Sequence, residues 1–215
     1  MPIYLTGYID DHTDRWKHYH DDLLPLGMLV QPKTHREGYL RRAGLYKWVA
    51  IDNGRFTEAG RRLFRPNEYD RLIREGLQQA GDYLLFATAP DEPFDWHATL
   101  SMSRPWLRRI RGLGATAALC AQEGMTPGSI PWDEFDCLFI GGRDAFKEGP
   151  LVRDACREAK RRGKWVHMGR VNNLRRMRVA LDSGVGMRST PDQAASDRGE
   201  PGRSEGIGWP SRCAW

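Results

Sequence analysis

The chain has 215 residues, of which 40% are hydrophobic and 28% charged, with 8 tryptophans and a formal net charge of +5. This apolar content can form a sizeable core, which excludes a wholly disordered protein. No apolar run approaches the ~20 residues that cross a bilayer, and residues 1–5 lack the basic and apolar segments of a secretory signal. We therefore expect a soluble, cytoplasmic protein that makes no membrane contact.

The positive charge is concentrated in one stretch. The segment from Leu151 to Ala180 contains ten Lys or Arg residues and two acidic residues. Such a stretch attracts the phosphate backbone of nucleic acids, although a solvated helix face has the same composition. The charge pattern leaves both interpretations open.

The four cysteines lie far apart and form no Cys-x-x-Cys pair. This spacing argues against a disulfide framework and against a compact zinc site. We expect neither a metal ion nor a cofactor. Buried thiols are expected at Cys120, Cys137, Cys156 and Cys213.

Seven short apolar runs are predicted to be strands. Most of them are continuous rather than alternating, which is typical of strands that are covered on both faces. The runs are Ile3–Gly7, Met28–Gln31, Trp48–Asp52, Tyr83–Thr88, Ala117–Ala121, Cys137–Gly141 and Trp165–Met168.

Helical patterns separate several of these runs, and strands that alternate with helices predict an α/β fold with a parallel sheet. The pattern does not say whether the sheet is open or closed. In both cases ligands bind at the carboxyl ends of the strands. The predicted helices are Asn67–Gln79 behind Pro66, Trp96–Leu113 interrupted at Pro105, Leu151–Arg162, and Asn172–Leu181 capped by Asn172.

Five of the predicted strands end in carboxylates, an amide or glycines, which indicates a site for a small, planar, polar ligand. Asp52 and Asp91 follow two strands that are close in sequence, and paired carboxylates perform acid–base or glycosyl chemistry. Asp91 with the amide of Gln122 matches the donor edge of a guanine-like base. The alternatives are a turn at Asp52-Asn-Gly and a turn or helix cap at Asp91.

The strand endings resemble segments of the tRNA-guanine transglycosylase superfamily, and most closely those of its phage and bacterial branch that inserts 7-deazaguanine bases into DNA. The resemblance extends from Tyr46 to Gly184, and its segments occur in the family's order. The segments are Ala50–Phe56, Asp91 after Pro90, Ala121–Gly124, Phe139–Gly142 and Val166–Asn172.

This resemblance implies a (β/α)8 barrel that replaces guanine in DNA or tRNA by a 7-deazaguanine through an aspartyl-glycosyl intermediate. Such chemistry takes the target base out of its stack. By resemblance Asp52 assists acid–base catalysis. The implied base-binding residues are Asp91, Gln122, Gly141, Gly142, Met168 and Gly169, and the implied nucleic-acid backbone contacts are Arg170, Arg175 and Arg176.

The family's nucleophilic aspartate has no counterpart where the pattern places it. The window Gly186–Thr190 contains no carboxylate, while Asp182 precedes it and Asp192 follows it. We therefore expect a barrel domain over residues 1–184, altered at its C-terminal end, and an irregular tail over 185–215, which a frameshift would explain. Two alternatives stay open: a non-catalytic descendant that binds nucleic acid or a base, and an unrelated α/β barrel enzyme for a small phosphorylated or sugar substrate.

Overall fold

The computed structural model describes residues 4–6, 26–41, 46, 48–171, 173–183 and 185. All seven predicted strands are confirmed, with ends within two residues of the predicted ones. They are β1 (Tyr4–Thr6), β2 (Leu26–Val30), β3 (Trp48–Ile51), β4 (Leu84–Thr88), β5 (Ala117–Ala121), β6 (Cys137–Ile140) and β7 (Trp165–Met168).

The described helices lie between successive strands and after β7. Their starts follow from local chemistry, since side chains accept hydrogen bonds from the first turn in three of them, at Thr57, Asp95 and Asn173. The helices are α1 (Pro32–Arg36), α2 (Glu58–Leu63), α3 (Pro66–Ala80), α4 (Trp96–Gly112), α5 (Asp144–Lys147), α6 (Pro150–Arg161) and α7 (Leu174–Asp182).

The strands form one sheet in the order β1-β2-β3-β4-β5-β6-β7, and every neighbouring pair is parallel. The predicted α/β fold with a parallel sheet is therefore confirmed, but the expected (β/α)8 barrel is wrong. The sheet is open and curled, because among the described residues β1 pairs only with β2 and β7 only with β6. Closure would need β1 and β7 to pair with each other or with further strands between them.

The two faces of the sheet carry separate hydrophobic clusters. On the helix face, strand residues such as Ile51, Leu119 and Ile140 pack with residues of α3, α4 and α6. The opposite face, which we call the inner face, holds a smaller cluster made of strand residues alone. Cys156 belongs to the helix-face cluster and Cys120 and Cys137 to the inner one, so three of the four predicted buried thiols are confirmed, while Cys213 lies outside the described residues.

Three details of the helices differ from the sequence prediction. Helix α4 continues through Pro105. Because proline has no N–H, the Ser101 carbonyl lacks its usual helical donor, but Ser101 is exposed and water can solvate it. The cap of α7 is Asn173, whose side chain accepts a hydrogen bond from the Arg176 N–H at 2.9 Å. The expected cap Asn172 lies outside the described residues, as do 186–215 of the expected tail.

The short helices α1, α2 and α5 were not predicted, because each is too brief to show a helical period. Val185, at the predicted domain boundary, is buried in the helix-face cluster. Within the described ranges, no helix combines the length and the apolar character needed to cross a bilayer.

Candidate functional site

Polar side chains meet at the carboxyl ends of β3, β4 and β5. Asp52 directly follows β3, and its N–H continues the parallel ladder by donating to Val30 O at 2.9 Å. Thr88 ends β4 and Gln122 directly follows β5. Because these strands are parallel neighbours, the three side chains lie at the same edge of the sheet.

The Asp52 carboxylate accepts two hydrogen bonds from side chains at the ends of the neighbouring strands β2 and β4. Gln31 Nε2 donates to Oδ2 at 2.8 Å, and Thr88 Oγ1 donates to Oδ1 at 3.3 Å. Burial, and next the nearby charge of Asp91, raise the pKa of Asp52 to about 6. A carboxyl with this pKa can give and take a proton near neutral pH.

The buried Asn53 connects the two aspartates. Its amide Nδ2 lies 3.0 Å from Thr88 Oγ1, 3.1 Å from Ala89 O and 2.9 Å from Asp91 Oδ1. Its backbone N–H also donates to Thr88 Oγ1 at 2.9 Å. The chain Asp52–Thr88–Asn53–Asp91 is therefore one hydrogen-bonded network.

Asp91 and Gln122 form the second half of the network. Gln122 Nε2 donates to Asp91 Oδ2 at 2.6 Å, and its Oε1 accepts the Phe94 N–H at 3.0 Å. Both residues are buried. Burial raises the pKa of Asp91, although the hydrogen bonds from Asn53 and Gln122 oppose that shift. Each Asp91 oxygen keeps a further lone pair with which it can accept a hydrogen bond from a ligand.

Three glycines that were expected to bind the base allow close contacts between neighbouring segments at this edge of the sheet. The N–H of Gly141 donates to Ala121 O at 3.0 Å, and a Cβ at Gly141 would lie 2.6 Å from Gln122 Nε2. Gly142 has a φ of +78°, and a Cβ there would lie 2.8 Å from Glu123 Oε2. Gly169 donates its N–H to a β6 carbonyl at 3.0 Å. Glycine at 141 therefore lets the Gln122 amide lie across the end of β6.

An aromatic layer lies on the inner face, one or two residues before the ends of β4, β6 and β7. The ring centroids of Phe86 and Phe139 are 6.1 Å apart, and His167 is 5.4 Å from the first and 5.1 Å from the second. Burial lowers the pKa of His167 to about 4, so its ring is neutral near pH 7. By contrast, the Met168 side chain belongs to the buried helix-face cluster.

Lys147 is a buried cation that sequence analysis did not single out. Its ammonium donates to Gly169 O at 2.8 Å. Burial, and next the charge of Arg170, lower its pKa to about 8. The interaction fixes the carbonyl that follows β7. A lone Lys in a four-residue helix gives no sequence signal of burial. Asn53 and Thr88 were missed for a similar reason, because the sequence indicates only a turn residue at Asn53 and a strand residue at Thr88.

The three arginines expected at a nucleic-acid backbone have different environments. The Arg170 guanidinium lies over the Phe56 ring, 4.3 Å from its centroid. Arg175 pairs with Glu148, and Arg176 pairs with Asp144. Further charges of the predicted basic stretch are neutralised within α6, where Glu158 pairs with two arginines. The stretch is therefore less positive locally than its composition indicates.

Asp182, one of two candidate replacements for the nucleophile, is the exposed last residue of α7. Asp192 and the window 186–190 lie outside the described residues. In the part of the chain that the structure describes, no group of three or more His, Cys, Asp or Glu residues could hold a metal ion.

No protein-family model matches this chain, and no curated protein sequence matches it either. Among solved structures, Klebsiella pneumoniae BlrP1 in a manganese and cy-diGMP complex shows weak similarity, with a TM-score of 0.45, 15% identity, and coverage of 83% of this chain and 44% of that chain. Its calcium and cy-diGMP complex gives a TM-score of 0.44, also at 15% identity, over 84% of this chain and 44% of that chain. The chain thus spans less than half the length of BlrP1, and the likeness carries no argument about function.

Proposed function

We propose that this protein is a base-exchange transglycosylase that replaces guanine in DNA or tRNA by a 7-deazaguanine. The observation that carries the proposal is the buried network at the strand ends, in which two aspartates with raised pKa values are joined through Thr88 and Asn53. The order of the segments that resemble the transglycosylase superfamily adds to it.

The donor edge of guanine suits Asp91. Guanine presents N1–H and an exocyclic amine side by side, and both require acceptors. The Asp91 oxygens are 2.9 Å from Asn53 Nδ2 and 2.6 Å from Gln122 Nε2, so the carboxylate is held in a fixed orientation. A 7-deazaguanine has the same donor edge, which explains how one pocket would accept the leaving and the entering base.

Asp52 serves as the proton donor and acceptor in this proposal. In the first half of the exchange, a carboxylate nucleophile forms a bond to C1′, the bond from C1′ to N9 of guanine breaks, and guanine leaves with a proton that Asp52 donates. In the second half, N9 of the deazaguanine gives its proton to Asp52, bonds to C1′ and displaces the carboxylate. A pKa of about 6 lets Asp52 return the proton that it takes.

The nucleophile itself is the one component that the described residues do not supply. A second candidate function follows from this point: a protein that binds a guanine-like base in nucleic acid without exchanging it. The two candidates share the pocket and differ only in covalent chemistry.

A base-exchange assay distinguishes them. The purified protein is incubated with DNA and, separately, with tRNA that carry radiolabelled guanine, a 7-deazaguanine is added, and the release of label is followed. Release from one polymer supports the transglycosylase and names its substrate. Absence of release with retained binding of the free base supports the binding protein, and absence of both contradicts the two candidates.

The variant Asp91→Asn tests the recognition step by calorimetric titration with guanine and with 7-deazaguanine. The change replaces an acceptor by a donor at one oxygen, so we expect a loss of about 1.5–3 kcal/mol, or roughly 10- to 150-fold in affinity. Asp133→Asn is the control, because Asp133 is exposed and outside the network. Equal affinities of Asp91→Asn and wild type would remove Asp91 from the pocket.

A further inference from the structure

Four side chains from different loops form a continuous stack at the carboxyl edge of the sheet, which we call the rim stack. Arg143 Cζ is 3.7 Å from the Phe94 ring centroid, Phe94 and Phe56 meet edge to face at 5.8 Å, and Arg170 Cζ is 4.3 Å from the Phe56 centroid. The stack thereby joins the loops that follow β3, β4, β6 and β7.

The backbone of the rim stack is tied to the candidate site. The Phe94 N–H donates to Gln122 Oε1 at 3.0 Å. The Arg143 N–H donates to Oε1 of Glu123, the residue after Gln122, at 2.9 Å. Arg55, next to Phe56, donates through Nε to Asp91 O at 3.0 Å. A molecule that contacts the rim stack therefore lies beside Asp91 and Gln122.

The rim stack also holds the unusual backbone conformations of the described chain. Phe94 has a φ of 70° and Arg170 a φ of 60°, and within the described ranges these are the two non-glycine residues with positive φ. This conformation costs free energy for a residue with a Cβ, and such strain concentrates at functional sites. Glycine would fit both positions with less strain, so the backbone conformation does not account for the large side chains there.

The exposed parts of the rim stack are positive and planar. The Arg143 side chain is 64% exposed and Phe56 is 40% exposed. A guanidinium on an aromatic ring offers a flat surface for base stacking and a charge for phosphate. The Arg143 guanidinium also contacts Glu123 Oε1, at 3.3 Å, but this contact is longer than the pairs of Arg175 with Glu148 and of Arg176 with Asp144, so those two arginines are less available to a phosphate.

We propose that the rim stack is the contact for an unpaired nucleic-acid strand, in which Phe94 and Arg143 hold the nucleotides that flank the one in the pocket. This inference rests on the proposed function for the identity of the pocket. Arg143 and Arg170 pair with phosphates on the two sides of the target nucleotide, and the neighbouring bases stack on the layer between them. A strand with its target base already out of the stack fits this arrangement better than a regular duplex.

Binding of fluorescent single-stranded DNA and RNA oligonucleotides to the full chain, followed by anisotropy over a salt series, tests the rim stack. For Arg143→Gln we expect about tenfold weaker binding and a log–log salt slope that is less steep by about 0.7, the value for one phosphate contact on a single strand. For Phe94→Gly we expect weaker binding at every salt concentration with an unchanged slope. This variant also relieves the positive φ and keeps the N–H that Gln122 accepts.

Arg104→Gln is the matched control, because Arg104 is also a surface arginine that pairs with a glutamate, at 3.1 Å from Glu134 Oε2. It should bind as wild type does. If Arg143→Gln and Phe94→Gly bind the strand as wild type does, or if wild type binds neither oligonucleotide, the inference is overturned.

Titration with free 7-deazaguanine separates this inference from the proposed function. Strand binding that depends on the rim stack, without base binding or exchange, supports the inference and contradicts the proposed function, whereas base exchange with unaffected rim variants does the reverse.

Discussion

Replacement of Asp52 by asparagine should make the protein more stable at pH 8. Burial and the charge of Asp91 raise the pKa of Asp52 to about 6, whereas a free aspartate has a pKa near 4. The native state thus binds this proton more tightly than the unfolded state does. Ionisation of the native carboxyl therefore costs stability, and asparagine removes that cost.

The size of the effect follows from the pKa difference. About two pH units at about 1.4 kcal/mol each give an upper value of about 3 kcal/mol. The hydrogen bonds can be kept: the asparagine Oδ1 accepts from Thr88 Oγ1, and its amide donates to Gln31 if the Gln31 amide turns over. In a protein of this size, the gain corresponds to a rise in melting temperature of about 6–12 °C.

The pH dependence identifies the cause of the stabilisation. Below pH 4 the carboxyl is protonated in both states, so the variant has no advantage there. The advantage grows between pH 4 and 6 and is complete above pH 6. Urea denaturation of wild type and Asp52→Asn at pH 8, 6 and 4 measures it.

A control with the opposite sign is available on α3. Asp70 pairs with Arg109 at 2.6 Å and with Arg74 at 2.9 Å, and these hydrogen bonds lower its pKa. Asp70→Asn should therefore lose stability at pH 8, by less than about 1 kcal/mol because both arginines are solvent-exposed, and the loss should shrink as the pH falls. The reasoning about Asp52 is refuted if Asp52→Asn is no more stable than wild type at pH 8, or if its gain is the same at pH 4.

Three further predictions concern the sheet edge, the inner face and α7. Gly141→Ala places a Cβ 2.6 Å from Gln122 Nε2, so it should lower the unfolding free energy by about 1–3 kcal/mol and weaken base binding. Full affinity in calorimetry would mean that the Gln122 amide can move without consequence for binding. Because its pKa is about 4, the ring resonances of His167 should stay constant between pH 7.5 and 5.5, and a midpoint near 6.5 would contradict its burial. Asn173→Ala removes the hydrogen bond to Arg176 N and should lower the unfolding free energy by about 1 kcal/mol, whereas an unchanged denaturation midpoint would show that the cap contributes nothing.

The strands were predictable because each is a run of apolar residues that ends in a turn signal. In Cys137–Ile140, for example, all four residues are buried, and continuous burial leaves a continuous pattern. Whether the sheet closes depends on what pairs with β1 and β7, and local periodicity carries no information about edges. For this reason the parallel sheet could be derived from the sequence, while the resemblance led to a barrel that the structure does not form.

The candidate site could be predicted only in part. Asp52, Asp91 and Gln122 were found because a polar residue after a buried strand is visible in the sequence. Asn53 and Thr88 were missed, since an Asp-Asn-Gly sequence reads as a turn and a threonine at a strand end reads as a strand residue. Their role depends on the distance between neighbouring strands. The positive φ of Phe94 has no sequence signal either, because a Phe rarely adopts it.

The amide of Asn53 in the middle of the network has a consequence for how protons move. Thr88 Oγ1 accepts two N–H groups from Asn53, so its single proton is directed to Asp52 Oδ1. An amide N–H donates a hydrogen bond but does not pass its proton on near neutral pH, so Asn53 acts as an insulator between the two carboxyls. Asp52 and Asp91 influence one another through their charges alone, and each must exchange its proton with a bound ligand or with water.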